Sequence, residues 1–431
     1  MDKTGLVWFR NDLRIEDQKS LFKASQKYNS IIGVFCFDSN WFKETEYGFK
    51  KTEKFRAQFL IESVQELKNN LSKLNIPLFV YLEHPVKAIP KLCELHNCIE
   101  IFYQKEWTQE ESDTELHLIN KLPNVTFTSH YDQFLFEPNQ LPVGMESLPE
   151  VFTEFRKIVQ KKCKVNPCTS IDAFYTQTPI INPTKIPSLI DLGLDSFEVH
   201  SHSAFPFQGG ENQAQKRMQS YFWESNKLSV YKKTRNGLLG TNYSSKFSSW
   251  LANGCISAKA IYHEIKKYEK EVTKNDSTYW LIFELIWRDY FKYISLKHQN
   301  NIFKLGGIKS RDYEWKNNAK YIKAWMEGNT GKYFVDANMR ELHETGWMSN
   351  RGRQNVASFF AKDWKLDWRI GAAYFESMLI DYDVHSNYGN WMYVSGVGND
   401  PRDRKFNVEL QAERYDPKNK FQQTWLQKTL F

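Results

Sequence analysis

The sequence of 431 residues contains no apolar run close to the roughly 18 residues that a membrane-spanning helix needs. It has six cysteines, and the close pairs Cys93/Cys98 and Cys163/Cys168 lack the two-residue spacing of zinc ribbons. No secretory signal or Arg-rich presequence precedes the first apolar segment. These absences predict a soluble cytoplasmic protein with reduced, buried thiols, no metal site and no contact with membranes.

A glycine-rich turn is missing after the first predicted strand, where the sequence reads RNDLRIED. Its absence disfavours a nicotinamide site of the Rossmann type. Short apolar runs nevertheless alternate with helical periodicity, and this alternation predicts a doubly wound parallel-sheet α/β domain over residues 1–130. The predicted strands are 6–9, 31–37, 78–82, 99–103 and 125–128.

Proline is absent from residues 207–400, whereas eight of the 14 prolines lie between Pro138 and Pro206. Because proline breaks helix interiors, a long proline-free stretch is expected of a helical domain. The distribution predicts a connector over residues 131–206 and an all-helical domain over residues 207–431. The predicted fold class is therefore α/β followed by all-α.

Charge and tryptophan are both concentrated in the second half of the chain. Residues 201–431 carry 35 Lys and Arg against 24 Asp and Glu, whereas the first 200 residues carry a net negative charge. Eleven of the 14 tryptophans also lie beyond residue 200. Positive charge with aromatic rings suits phosphates and stacked bases, although a large helical core would also use many aromatic side chains.

Six segments of the sequence, taken in order, resemble the photolyase/cryptochrome flavoproteins and, within them, the DASH-type cryptochromes. They are WFRNDLRIED, FQGGENQAQKRMQSYFW, SSKFSSWLANGCIS, ELIWRDYF, TGWMSNRGRQNVASFF and LDWRIGAAYFESMLIDYDVHSNYGNWMYVSGVGNDPR. The resemblance covers nearly the whole chain. It implies that the α/β domain holds an antenna and that the helical domain binds FAD and DNA.

The serine-rich stretch SSKFS offers hydroxyls and a cation before a helical run, which suits a pyrophosphate. An ordinary helix cap is the alternative from the residues alone. The resemblance implies that Arg353 pairs with Asp381, and that the neutral amide of Asn387 lies beside flavin N5, where it cannot supply a proton. The implied FAD-binding residues are Tyr231, Ser244, Ser245, Lys246, Phe247, Ser248, Trp347, Asn350, Arg353, Asp381, Asp383 and Asn387.

Glu284, Trp287 and Arg288 are spaced at i, i+3 and i+4, which places them on one helical face. A simple ion pair beside a core tryptophan is the alternative from spacing alone. The resemblance implies that the carboxylate and the indole contact an extruded thymine pair. The implied lesion-pocket residues are Glu284, Trp287, Gln354 and Tyr393, and the implied DNA-backbone contacts are Arg235, Arg288, Arg351 and Gln411.

Two positions depart from the photolyases that act on duplex DNA. Tyr393 stands in place of a second pocket tryptophan, and Gln354 in place of a methionine. Both residues are typical of the DASH type, and both weaken the pocket's ability to offset base flipping from a duplex. They predict a preference for single-stranded DNA. The segment MSNRGR also lacks the paired histidines associated with repair of (6-4) photoproducts.

Trp315, Trp368 and Trp391 are separated by 53 and 23 residues, the spacing of the family's electron relay. Without the resemblance each would be a core tryptophan. The resemblance also implies that Glu106, in YQKEWTQEE, contacts a 5,10-methenyltetrahydrofolate antenna. The alternative for Glu106 is an acidic residue at the start of a helix.

The leading hypothesis is a blue-light-driven DNA lyase. Reduced FAD would donate an electron to a cyclobutane pyrimidine dimer in single-stranded DNA and regain it once the ring has split. Weaker binding of RNA or duplex DNA is expected, and the protein is expected to be a monomer. The alternative is a blue-light photoreceptor or nucleic-acid-binding regulator without repair activity. Light-driven repair of dimer-containing oligo(dT) discriminates between the two.

Overall fold

The first domain is built on a five-stranded sheet in which all neighbouring strands are parallel. The computed structural model describes residues 3–171 and 180–427. The strand order is β3-β2-β1-β4-β5. The strands are Thr4–Trp8 (β1), Ile31–Cys36 (β2), Leu78–Tyr81 (β3), Cys98–Gln104 (β4) and Thr126–His130 (β5). The predicted parallel sheet is confirmed, with strand ends within two residues of the predicted ones.

Helices cover both faces of this sheet, so β1 and β2 bury their residues on both sides, whereas the edge strand β5 has exposed residues. On one face, Leu6 and Trp8 pack in a small cluster with Ile89. Alternate residues of the same strand and its end, Val7 and Phe9, belong to a second cluster that continues into the helical half. The helices of this domain are Lys19–Lys27 (α1), Lys54–Ser72 (α2), Pro85–Leu95 (α3) and Gln109–Lys121 (α4).

Among its described residues, the connector contains one longer helix, Phe152–Lys162 (α5), together with short turns and extended segments. Residues 172–179 lie outside the described residues, as do 428–431 at the end of the chain. The domain limits at residues 130 and 206 stay a prediction.

The second half is helical, as predicted. Short 3₁₀ or π segments extend several of its helices, such as Phe359–Asp363. Within the two described ranges, no helix is both long enough and apolar enough to cross a bilayer. The helices are Glu211–Gln219 (α6), Tyr231–Thr234 (α7), Ser248–Ala252 (α8), Ala258–Glu271 (α9), Asp276–His298 (α10), Ala319–Met326 (α11), Tyr333–Thr345 (α12), Asn350–Ser358 (α13), Trp368–Met378 (α14), Val384–Ser395 (α15), Val408–Tyr415 (α16) and Lys420–Leu426 (α17).

The six cysteines are free. Cys36, Cys93, Cys98 and Cys255 are buried, as expected. The expectation of buried thiols is wrong for Cys168, which is exposed, because it lies on the irregular connector rather than in a strand or helix.

The loop after β1 joins the two halves of the molecule. Arg14 is 2% exposed and donates hydrogen bonds to the carbonyl oxygen of Gly254 and to the carboxylate of Asp132. Glu211, the first residue of α6, accepts the backbone N–H groups of Ile15 and Glu16 at 2.9 Å each. The polar sequence RNDLRIED is therefore a joint between the domains, which explains why it lacks the glycines of a phosphate-binding turn.

A second joint ties the connector to α10. Asp289 is fully buried and its carboxylate accepts the backbone N–H groups of Leu135 and Phe136 at 2.9–3.0 Å. Two buried backbone donors thus depend on one side chain for their hydrogen bonds.

We expect Asp289→Ala to lower the free energy of unfolding by about 2–5 kcal/mol, because each buried N–H left without an acceptor costs about 1–3 kcal/mol. Asp289→Asn keeps one acceptor oxygen and serves as the control, with a smaller loss. Urea unfolding followed by circular dichroism measures both. Equal urea midpoints for wild type and Asp289→Ala would contradict the stabilising role of Asp289 in this joint.

Candidate functional site

An interdomain cavity of about 280 Å³ opens at the carboxyl ends of β1 and β4. In a sheet ordered β3-β2-β1-β4-β5, the strand order reverses between these two strands, and ligands of α/β proteins bind at such a crevice. Arg10 and Asn11 follow β1, and Gln104 and Glu106 end or follow β4; all four side chains line this cavity. The topology thus explains why Glu106 faces a cavity rather than solvent.

Glu106 is 5% exposed and accepts hydrogen bonds from Gln104 at 2.8 Å and from Asn11 at 3.4 Å. The alternative for Glu106, an acidic residue at the start of a helix, is wrong, because Glu106 precedes α4 and is buried at the strand end. Arg10 lies over the ring of Trp8 and has one buried guanidinium nitrogen without a hydrogen-bond partner. A buried donor that lacks a partner in a cavity wall indicates room for a ligand that accepts.

A second cavity, called the inner cavity here, lies within the helical half and has compartments of about 250 and 90 Å³. The two compartments share Asn350, Arg353, Asp381, Asp383 and Ser386. The structure brings all twelve of the expected FAD-binding residues to this cavity. Those in the larger compartment are Tyr231, Ser244, Ser245, Lys246, Phe247, Ser248, Trp347, Asn350, Arg353, Asp381 and Asp383, and Asn387 lines the smaller one.

Several buried polar atoms of the inner cavity have no hydrogen-bond partner. Lys246 is 2% exposed, its Nζ lies 3.3 Å from the centroid of the Tyr243 ring, and no acceptor reaches it. Burial lowers the pKa of Lys246 well below its usual range, although Glu341 opposes the shift. One carboxylate oxygen of Asp381 and the indole N–H of Trp391 are also buried without partners.

Ion pairs fix the acidic residues of the inner cavity. Arg353 donates to Asp381 at 2.9 Å, as the resemblance implied. Asp383 caps α15 and accepts from the ammonium of Lys292 at 2.7 Å. Burial alone would raise the pKa of Asp383, but Lys292 and other nearby cations hold that pKa well below its ordinary value. Asn387 donates one amide N–H to the carbonyl oxygen of Ala372, which fixes its orientation.

A surface pocket of about 430 Å³ adjoins the inner cavity. Both are lined by Arg235, Glu284, Arg288, Asn350 and Ser386, so the two spaces share a wall. The expected lesion-pocket residues Glu284, Trp287, Gln354 and Tyr393 all line the surface pocket, together with Arg235, Arg288 and Arg351.

The arginines expected on DNA phosphates already have protein partners. Arg235 forms an ion pair with Glu284 at 2.7 Å, and burial raises the pKa of Glu284 although Arg235 opposes the shift. Arg288 donates to the backbone carbonyls of Gln133 and Leu251, so two of its guanidinium nitrogens are engaged inside the molecule.

Arg351 and Gln411 lie together at the rim of this pocket. Arg351 donates to Gln354 at 2.9 Å and to Gln411 at 3.5 Å, and its guanidinium lies over the ring of Tyr415. This cluster connects the pocket residue Gln354 to α16.

Sequence reasoning missed nine residues of the surface pocket, namely Trp280, Phe283, Phe291, Ser386, Asn390, Val394, Asp400, Arg404 and Phe406. Helical spacing could have found Trp280, since it precedes Glu284 by one turn on the same face of α10. Arg404 and Phe406 lie on an irregular segment after α15, and no local pattern indicates their position.

Backbone contacts connect the surroundings of the three expected relay tryptophans. Trp391 lines the smaller compartment of the inner cavity, and its indole lies so close to Gly371 that a Cβ there would be 2.3 Å away. Gly371 is one turn from Trp368 in α14. Lys316, next to Trp315, hydrogen-bonds residues 365 and 367 just before Trp368.

The rings around Trp391 also include one that the spacing did not indicate. Trp325 is fully buried and its ring centroid lies 6.1 Å from that of Trp391. Trp368 donates its indole N–H to the carbonyl oxygen of Leu305.

Comparisons with known proteins cover most of the chain. A model of the FAD binding domain of DNA photolyase matches residues 280–429, and a model of DNA photolyase matches residues 5–174. The protein called Cryptochrome DASH from Gloeobacter violaceus is 46% identical over 427 residues, covering 98% of this chain and 85% of that relative.

Two solved structures extend the similarity to three dimensions. A cryptochrome from Synechocystis superimposes with a TM-score of 0.95 at 43% identity, covering 99% of this chain and 89% of that one. An archaeal photolyase from Sulfolobus tokodaii, solved with two FAD molecules, has a TM-score of 0.79 at 25% identity, covering 98% of this chain and 90% of that one.

The fold and the two family models show that the chain belongs to the photolyase/cryptochrome family and carries its FAD-binding domain. Within the family, near-full-length similarity to proteins called Cryptochrome DASH assigns it to the DASH type.

Proposed function

We propose that the protein repairs cyclobutane pyrimidine dimers in single-stranded DNA in a reaction driven by blue light. The observation that carries the proposal is the shared wall between the inner cavity and the surface pocket. A cofactor in the inner cavity and a pyrimidine dimer in the surface pocket would thus be separated by no more than a layer of side chains.

The inner cavity fits FAD because its unpartnered buried atoms match the groups of this cofactor. Lys246 and the hydroxyls of Ser244, Ser245 and Ser248 would hold the diphosphate, which supplies the acceptor that Lys246 lacks. Asp381 and Asp383 would accept from the flavin end, where Asn387 offers an amide that stays neutral.

When bound and reduced, FAD supplies the light absorption and the electron that splits the dimer and later returns. The protein holds the dimer. Glu284, kept in place by Arg235, would hydrogen-bond the polar edge of the extruded bases, and Trp287 would stack on one of them. Arg351, with Gln411 beside it, would contact phosphates without reading sequence.

The preference for single strands would arise in the surface pocket. Extruding a dimer from a duplex costs a few kcal/mol, whereas an unpaired dimer avoids most of that cost. A stacked aromatic ring contributes about 1–3 kcal/mol per base, so a phenol at Tyr393 in place of an indole offsets less of it. Gln354, which accepts a hydrogen bond from Arg351, stands where photolyases that act on duplex DNA have an apolar methionine.

We expect single-turnover repair by the wild type to be faster, and binding tighter, for a dimer in a single strand than for the same dimer in a duplex. Tyr393→Trp combined with Gln354→Met should reduce this difference. Matched oligonucleotides of both forms at one fixed salt concentration provide the measurement, since phosphate contacts are salt-dependent. Equal repair of both forms by the wild type would contradict the preference. An unchanged difference in the double variant would place its cause outside the pocket.

The same assay separates repair from sensing. If illumination reduces bound FAD but leaves dimer-containing oligo(dT) unrepaired, the photoreceptor or regulator alternative replaces the proposal.

Trp391, Trp368 and Trp315 would form a relay that delivers electrons to the inner cavity. Trp391 is 2% exposed at the cavity, Trp368 is fully buried, and Trp315 is partly exposed, so the series runs from the interior to the surface. The close approach of Trp391 to the backbone at Gly371 supports short steps between its members.

Trp391→Phe should strongly slow light-driven reduction of FAD by an external reductant while FAD stays bound, because phenylalanine is much harder to oxidise. Absorption spectra during illumination follow the reduction. Repair by chemically reduced enzyme is the control and should survive. Photoreduction at the wild-type rate in this variant would exclude Trp391 from the relay; Trp325→Phe tests the neighbouring ring in the same way.

The interdomain cavity would hold the folate antenna. Glu106 offers a buried carboxylate to an N–H donor of the pterin, and the unpartnered guanidinium N–H of Arg10 suits one of its carbonyl oxygens. A second flavin is the other ligand to consider, since the Sulfolobus tokodaii photolyase contains two FAD molecules.

Glu106→Gln should lower folate occupancy and leave FAD content unchanged, because the two ligands occupy different cavities. The ratio of folate to flavin absorption after reconstitution with 5,10-methenyltetrahydrofolate measures the effect. Wild-type protein that never takes up folate would contradict the assignment of the interdomain cavity to a folate antenna. A flavin content above one per chain would favour a second FAD in that cavity.

A further inference from the structure

A ring from the connector covers one face of Trp287. Phe152, the first residue of α5, stacks on the Trp287 indole with centroids 3.6 Å apart and planes 11° from parallel. Phe152 is 7% exposed. Trp287 lines the surface pocket, and Phe152 lies behind it, outside the lining of that pocket. Phe152 therefore covers one face of the indole. Elsewhere the indole meets the tilted ring of Phe291 and the edge of Tyr393, both of which line the pocket with it.

Phe152 is itself held firmly. Its ring makes edge contacts with Phe283 and Tyr290, at 5.2 and 5.5 Å between centroids. Both partners lie on α10, the helix that also carries Trp287. The ring behind the indole is thus fixed to the same helix as the indole.

The backbone just before Phe152 is anchored on two sides. Glu150 accepts from Lys297 of α10 at 2.6 Å, and its carbonyl oxygen accepts from the side chains of Tyr290 and Asn399. Asn399 belongs to the segment after α15 that continues to Arg404 of the surface pocket. Residues 150–152 therefore connect α10 with the segment after α15, and both elements contribute residues to that pocket.

We propose that Phe152 is a positioning residue for damage recognition, which fixes the Trp287 indole so that its other face is ready to stack on a base. A ring held in place before binding loses less conformational freedom when a base arrives, and preorganisation of this kind strengthens binding. The edge-to-face contacts of Phe152 with Phe283 and Tyr290 add stability beyond the area that they bury, which keeps its ring in place. The inference rests on the proposed function, because it assigns Phe152 to the pocket that would hold the dimer.

The chain offers a matched control one turn further along α5. Phe155 is 1% exposed and contacts Tyr290 and Tyr293, at 5.5 and 5.4 Å between centroids. It packs α5 on α10 as Phe152 does, and its ring contacts are with these tyrosines rather than with Trp287. A loss that merely reflects weaker docking of α5 would appear with either phenylalanine.

The experiment compares Phe152→Leu with Phe155→Leu. Binding is measured to a single-stranded oligonucleotide with one thymine dimer and to the same strand without damage. Phe152→Leu should weaken binding of the damaged strand about two- to tenfold and leave binding of the undamaged strand unchanged, since phosphate contacts persist. Phe152→Tyr should restore wild-type discrimination, and Phe155→Leu should retain it.

A second measurement reports on the indole without DNA. In protein labelled with 5-fluorotryptophan, the ¹⁹F resonance of Trp287, assigned with Trp287→Phe, should shift in Phe152→Leu and stay in place in Phe155→Leu. Phe152→Met, which retains most of the buried volume, replaces Phe152→Leu if that variant does not fold.

The possible results distinguish a failure of the role of Phe152 from a failure of the proposed function. A wild type that binds damaged and undamaged strands equally would overturn the proposed function and this inference with it. Discrimination by the wild type that Phe152→Leu retains, or that Phe155→Leu loses to the same extent, would overturn the role of Phe152 alone. An unshifted Trp287 resonance in Phe152→Leu would do the same.

Discussion

The pitch of one helix, α10, determines how the rest of the molecule is arranged. Because successive residues turn by about 100°, four of its side chains reach different neighbours within about two turns. Glu284 and Trp287 line the surface pocket, Asp289 binds the connector backbone, and Lys292 pairs with Asp383 in the wall of the inner cavity. Shifting the register of this helix by one residue would break all of these contacts together. The surface pocket, the wall of the inner cavity and the joint with the connector therefore depend on the same helix.

Among the described residues, buried cations differ in whether they have a partner, and the difference indicates where ligands belong. Arg14 and Lys259 are buried but paired with carboxylates, as expected of groups that only hold the fold together. Lys246 and Arg10 are cavity-lining cations with a nitrogen that has no hydrogen-bond partner. Because an unpaired buried donor destabilises the fold, its presence at a cavity wall argues that a ligand supplies the missing acceptor.

Local patterns predicted the parallel sheet, the helical half and α10 with its shared face at Glu284 and Trp287. The inner-cavity residues could be predicted only through resemblance, since a serine-rich cap such as Ser244–Ser248 has many ordinary uses. What could not be predicted depends on contacts between distant segments. No pattern along the chain indicates that Arg235 would pair with Glu284, that Arg288 would bind backbone carbonyls, or that a connector ring would stack on Trp287.

The wall between the interdomain and inner cavities links the two sites physically. Ala252, Arg288 and Asp383 line both spaces. On the interdomain side, His385 stacks on Trp107 at 4.3 Å and hydrogen-bonds Ser295. Lys292 also lines the interdomain cavity and pairs with Asp383, which lines both spaces. Since each buried charge in this wall depends on its neighbour, removing one would leave another unpaired in a low-dielectric interior. The wall therefore tolerates few substitutions, and the requirements of either cavity restrict the residues that can form the other.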